Sequence, residues 1–123
     1  MKVKICGLHP LRDVKLCIDL GVNFLGFVFY EKSPRNLNLN DIQKLKSYNK
    51  KKSFFVAVTV NPNNDFIENV ILNNFDYIQL HGSETEERIE EIGIETDVES
   101  STDRFTVGDF EPIISPDYVA WDI

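Results

Sequence analysis

Apolar positions follow two rhythms along this chain. Short, nearly continuous apolar runs alternate with longer stretches whose apolar residues recur every three or four positions. The runs "VKIC" (Val3–Cys6), "FLGFVF" (Phe24–Phe29), "FFVAVTV" (Phe54–Val60) and "YIQL" (Tyr77–Leu80) predict strands. Runs apolar on both faces are what a buried parallel strand requires. After the first strand, "HPLRDVKLCIDLG" predicts a helix. Pro10 suits its first turn, Val14, Cys17 and Ile18 share one face, and Gly21 stops it. After the loop "YEKSPRNLN", a second helix is expected with Asn40 as its cap and Ile42 and Leu45 on its buried face. "NPNNDFIENVILNNF" predicts a polar cap and a third helix carrying Phe66, Ile67, Val70 and Ile71. "SETEERIEEI" predicts a short acidic helix capped by Ser83 or Thr85.

Beyond Gly93 the pattern weakens. "IETDV" is the expected fifth strand and "YVAW" (Tyr118–Trp121) the sixth. Strand–helix units of about 20–30 residues imply parallel βαβ construction. No low-complexity tract or linker interrupts the chain, so residues 1–123 are expected to form one domain.

Composition narrows the function classes. A formal net charge of −7 argues against a nucleic-acid backbone as partner, because phosphate contacts need clustered Lys and Arg. The one basic cluster, Lys50–Lys52, reads as a solvated loop. The two cysteines, Cys6 and Cys17, have no ligand spacing around them, so no metal site is expected. "MKVKICGLHP" lacks the apolar core of a signal peptide and no apolar run reaches membrane length, so neither a secretory leader nor a transmembrane helix is expected. A cytoplasmic chain with reduced thiols and no membrane partner is the expectation.

Ligands of parallel α/β folds bind at the carboxyl ends of the strands. Strand one ends at Cys6-Gly7, and strand two is followed by Ser33-Pro34-Arg35. Strand three ends at Asn61-Pro62, strand four at His81-Gly82, and the last at Asp122. A thiol, a guanidinium, an imidazole and a carboxylate would then share one rim, able to bind an anion and move protons. Each has a plainer reading. Cys6 could be a small buried hydrophobe, Arg35 a surface residue pairing with Glu31, and His81 a strand terminator bonded to backbone. Asp122 could be a terminal residue, Asn61-Pro62 turn chemistry, and Cys17 core.

The stretches "KVKICGL", "GVNFLGFVFYEKSPRNL", "VAVTVN" and "FDYIQLHGSE" resemble the phosphoribosylanthranilate isomerase family in order and spacing. "DYVAWDI" looks like that family's sixth-strand segment, an apolar run ending in Asp. The resemblance implies a TIM-type (β/α)₈ barrel. It also implies an Amadori rearrangement in tryptophan biosynthesis, run without metal or organic cofactor. Carried over, Cys6 is the general base that removes the sugar C2 proton, and Asp122 the general acid for the ring oxygen. Arg35 binds the anthranilate carboxylate, which suits a planar bidentate donor. His81 lies at a matching active-site position. The chemistry fits these types. Ring opening needs a proton on the departing oxygen, and the resulting Schiff base acidifies C2.

The chain departs from the family in two places. The family's third strand usually carries a Phe near Thr59. Family members also continue through strands seven and eight, whose Gly-rich loops hold the substrate phosphate. Here glycines stand at 7, 21, 26, 82, 93 and 108, and none builds such a loop. An incomplete barrel of about six strands is therefore expected. Its open edges and apolar surface call for a partner: a complementing C-terminal fragment or a homo-oligomer. The alternative to the isomerase is an inactive or partner-requiring barrel remnant acting as a binding module. A receiver-type signalling domain fits the length. It lacks its acids, since Cys6 and Val60-Asn61 occupy the positions that would carry them.

Overall fold

Alternation along each strand sorts its side chains between two faces. In β2 (Phe24–Phe29), Leu25 and Phe27 turn to one side and Gly26 and Val28 to the other. In β3 (Phe54–Thr59), Phe55 and Ala57 share the first side with Leu25, while Val56 and Val58 lie opposite. The first side is covered by helices. Val14, Cys17 and Ile18 of α1 (Val14–Asp19), and Ile42 and Leu45 of α2 (Leu39–Leu45), join Phe27, Phe55 and Ile78 in one buried cluster. The opposite face holds a smaller cluster of Cys6, Val28, Val56 and Val58, with Phe24 and Tyr77 packed against it. Apolar residues on both faces explain why these strands read as continuous apolar runs.

The molecule is seen in a computed structural model. It describes residues 2–83, 85–95, 105–107 and 118–122, the last two stretches by their backbone. The remaining elements are β1 (Lys2–Cys6), β4 (Tyr77–Leu80), β5 (Phe105–Val107) and β6 (Tyr118–Asp122). A third helix, α3, runs from Asn64 to Asn74 with a π turn at Ile67–Ile71, and α4 spans Glu86–Glu95. All five strand pairings are parallel, and the sheet order is β5-β4-β3-β2-β1-β6. This is the expected parallel α/β architecture.

Several expectations need correcting. The cap of α2 is Asn38, not Asn40. The Asn38 side chain accepts from Asp41 N at 2.9 Å, and the Asp41 carboxylate accepts from Asn38 N at 3.1 Å. Asn40 already lies inside the first turn, where its side chain cannot reach back to cap. Helix α1 starts at Val14, because Asp13 at φ 60° breaks the helical path and leaves Pro10 in a buried turn. The fifth strand is Phe105–Val107 and not "IETDV". Ile94 and Glu95 belong to α4, and residues 96–98 lie outside the described set. Of the two caps expected for α4, Ser83 or Thr85, the structure uses Thr85, its hydroxyl accepting from Arg88 N at 3.1 Å. Strand β6 joins the sheet beside β1. The outer edge of β1 presents a row of backbone groups that a parallel strand satisfies.

Polar clamps fix the amino ends of the strands. Asn23 Oδ1 accepts from Val3 N at 2.7 Å, and Asn23 O accepts from Phe54 N at 2.8 Å. Asp76 Oδ2 accepts from Phe55 N at 2.8 Å and from Lys50 Nζ at 2.6 Å. Lys50 is therefore paired, while Lys52 faces solvent as the loop reading expects.

Candidate functional site

The carboxyl end of β1 is shaped by two glycines. Past Cys6 the chain turns through Gly7 at φ 83°, and both Gly7 N and Leu8 N donate to Gly26 O, at 3.0 and 3.1 Å. This pair of hydrogen bonds holds the end of β1 against β2. A Cβ at Gly26 would lie 3.1 Å from Cys6 Sγ and 3.2 Å from Cys6 Cα. Glycine at 26 thus creates the space the thiol occupies, and Cys6 is 7% exposed. A lone glycine inside "FLGFVF" was the available signal, since glycine within a strand marks close backbone approach.

Gly7 performs the same service for Arg35. A Cβ there would sit 2.7 Å from Arg35 Cδ and 2.9 Å from one terminal guanidinium nitrogen. The loop after β2 curls to bring the arginine in. Ser33 N donates to Tyr30 O at 2.9 Å, Arg35 N to Ser33 Oγ at 3.1 Å, and Leu37 N to Val28 O at 3.0 Å. Arg35 forms no ion pair with Glu31 among the described residues, and its buried Nε has no hydrogen-bond partner. The guanidinium therefore lies across the glycine next to Cys6 with hydrogen-bonding capacity to spare.

His81 follows β4, three strands along the same rim. Its backbone N donates to Thr59 O at 2.8 Å, which ends the strand, and its side chain is exposed. Nearby, Asn61 at φ 45° donates from its side chain to Ser83 Oγ at 3.3 Å. Arg88 of α4 reaches Asn64 Oδ1 at 2.6 Å and Pro62 O at 2.8 Å. The loops after β3 and β4 are thereby tied together. Thr59 is buried and donates to Gln79 O at 3.0 Å. Asp122 is placed by its backbone alone, as the register partner of Cys6, and its side chain lies outside the described residues. A cleft of about 500 Å³ opens between the loops after β2 and β3, lined by Tyr30, Lys32, Asn36, Asn61 and Asn63. Cys6, Arg35 and His81 do not line it.

Cys17 is 5% exposed in the helix-side core. Burial pushes its thiol above the usual range, with the Asp13 carboxylate adding to the shift. A thiol kept neutral there is a packing group. Among the described residues, no three of His, Cys, Asp and Glu gather as a metal site would need, and no helix is long and apolar enough to cross a membrane.

Comparison with known proteins places these features. A family described as N-(5'phosphoribosyl)anthranilate (PRA) isomerase matches residues 3–110. The curated N-(5'-phosphoribosyl)anthranilate isomerase of Rhizobium meliloti is 40% identical over 89 residues, 72% of this chain and 41% of the relative. This chain thus spans about two fifths of that relative's length. A crystal structure of phosphoribosyl anthranilate isomerase in complex with reduced 1-(o-carboxyphenylamino)-1-deoxyribulose 5-phosphate superposes with a TM-score of 0.69. It is 32% identical, covering 76% of this chain and 49% of that one. Monomers of the dimeric enzyme from Thermotoga maritima give a TM-score of 0.67 at 31% identity, with 76% and 49% coverage.

Proposed function

The chain belongs to the N-(5'-phosphoribosyl)anthranilate isomerase family, and from that premise we propose that it carries out the family's Amadori rearrangement. N-(5'-phosphoribosyl)anthranilate is the substrate and 1-(2-carboxyphenylamino)-1-deoxyribulose 5-phosphate the product. One observation supports this reading above the others: the Arg35 guanidinium packed over Gly7, the residue that follows Cys6. A cation with an unused donor, one residue along the chain from a thiol, suits a carboxylate-bearing substrate whose carbon acid must be deprotonated.

In the proposed reaction Arg35 grips the anthranilate carboxylate. Asp122 gives a proton to the ring oxygen as the C1–O bond breaks, and the nitrogen lone pair forms the C=N bond. Cys6, as thiolate, takes the C2 proton. The C2–H electrons form the C1=C2 bond as the C=N pair returns to nitrogen. The enolamine then gains a proton at C1 and loses its C2 hydroxyl proton to give the ketone. Every atom of the substrate is retained, as an isomerisation requires. His81 is assigned to the substrate side of the rim.

The test follows the loss of substrate fluorescence in the presence of the purified 123-residue chain. Turnover by wild type, and a loss of at least about 100-fold in Cys6→Ala, is the expected result for a general base. Unchanged turnover in Cys6→Ala would remove Cys6 from that role. No turnover by a folded wild-type chain would end the claim of autonomous activity.

A second reading, a module that works only with a partner chain, has its own observation. Phe54 is 43% exposed on the Cys6 side of the sheet, stacked with Phe24 at a centroid distance of 5.9 Å and edge-to-face with Tyr77 at 5.4 Å. A second copy or a complementing fragment covering these rings is the expected partner. Sedimentation that stays monomeric across the concentration range, with full turnover, would exclude it.

A further inference from the structure

Gln79 is the polar side chain of β4 for which the isomerase reading has no use. Its neighbours Ile78 and Leu80 point into the helix-side core. Alternation therefore turns Tyr77 and Gln79 to the opposite face. The register agrees, because Val56 pairs with Tyr77 and Val58 with Gln79, and both valines pack with Cys6. Gln79 thus faces the side of the sheet that carries Cys6, one residue before the strand ends and two before His81. It is 3% exposed, and its Oε1 is buried with no hydrogen-bond partner among the described residues.

A buried acceptor without a donor is costly, and Leu or Met would fill the place without that cost. On the β3 side the Val58 side chain, and Val28 beyond it, have no donor for it. On the other side its register partner is Thr106, whose side chain lies outside the described residues. We propose that Gln79 is a substrate-binding residue, its Oε1 accepting a hydrogen bond from a hydroxyl of the substrate's sugar. This rests on the isomerase reading above. The choice of group follows from donor chemistry. Carboxylate and phosphate have no proton to give to Oε1. The bridging N–H of an N-substituted anthranilate is taken by its own ortho carboxylate. The sugar hydroxyls are the donors that remain, on the part of the substrate that Cys6 is proposed to deprotonate.

The experiment compares two ligands by calorimetry on the whole chain. One is the reduced 1-(o-carboxyphenylamino)-1-deoxyribulose 5-phosphate bound in the related crystal structure. The other is N-methylanthranilate, which has the aromatic acid without the sugar. In Gln79→Met the sugar-bearing ligand should bind about tenfold or more weakly, with N-methylanthranilate affinity unchanged. Thermal stability should be equal to or above wild type, since the orphan acceptor is gone. Gln79→Leu serves as the second variant, and the same selective loss is expected. Equal affinity of wild type and variants for the sugar-bearing ligand overturns the proposal, and so does an equal loss for both ligands in both variants. A wild-type chain that binds neither ligand overturns the isomerase reading first, and this inference with it.

Discussion

A single missing Cβ decides the geometry at two positions of the rim. Gly7 is held at φ 83°, a conformation that costs an L residue roughly 1–2 kcal/mol. Its Cβ would also meet Arg35 Cδ at 2.7 Å, a distance that side chains do not tolerate. Gly7→Ala is therefore expected to lower stability by about 1–2 kcal/mol in urea denaturation. It should also weaken N-methylanthranilate binding, because the guanidinium must leave its seat. A variant that loses stability but binds as before would show that Arg35 does not need that seat. Cysteine and glycine were both visible as the "ICG" ending of a strand. What could not be read was their division of labour. Gly7 looks like a turn residue beside the thiol, yet the side chain it accommodates comes from residue 35, in the loop after the next strand.

Among the elements, helix α2 separates a local signal from a local decoy. "NLNLND" offers three asparagines, and Asn40 stands nearest the apolar pair Ile42 and Leu45. The reciprocal bonds of Asn38 and Asp41 make the earlier residue the cap. Asn38→Ala should cost about 1 kcal/mol, and Asn40→Ala close to nothing, in paired thermal melts. Equal losses would contradict the capping box. Strand β5 is a different kind of miss. "IETDV" has the right composition for a strand, but α4 runs on through Glu95. Helix continuation and strand entry compete for the same apolar residues there, and residue pattern alone does not rank them.

For the whole molecule, the two faces of the sheet carry unequal weight. Phe27 is fully buried on the helix side, with Phe55 at a centroid distance of 5.2 Å and Phe75 at 6.2 Å. Phe54, on the other face, is 43% exposed. Phe27→Ala should cost about 3–5 kcal/mol, and Phe54→Ala about 1–2 kcal/mol because less area leaves water in folding. Denaturant midpoints at one protein concentration check the difference. A large loss at Phe54 that shrinks on dilution would instead reveal a partner surface.

The residue pattern by itself determined the four strands, read as Val3–Cys6, Phe24–Phe29, Phe54–Val60 and Tyr77–Leu80 and found within a residue of those bounds, the helices between them, and their parallel arrangement. Both periodicities are written in neighbouring residues, so burial on one face or on two leaves a local trace. The family was legible for the same reason, since its motifs sit at the strand ends. Tertiary structure alone decided the rest. It set β6 beside β1, seated Arg35 on Gly7 and Cys6 on Gly26, and left Gln79 Oε1 without a donor among the described residues. Each of these is a contact between segments distant in the chain. Whether such groups meet depends on packing and register, and no short stretch of sequence contains them.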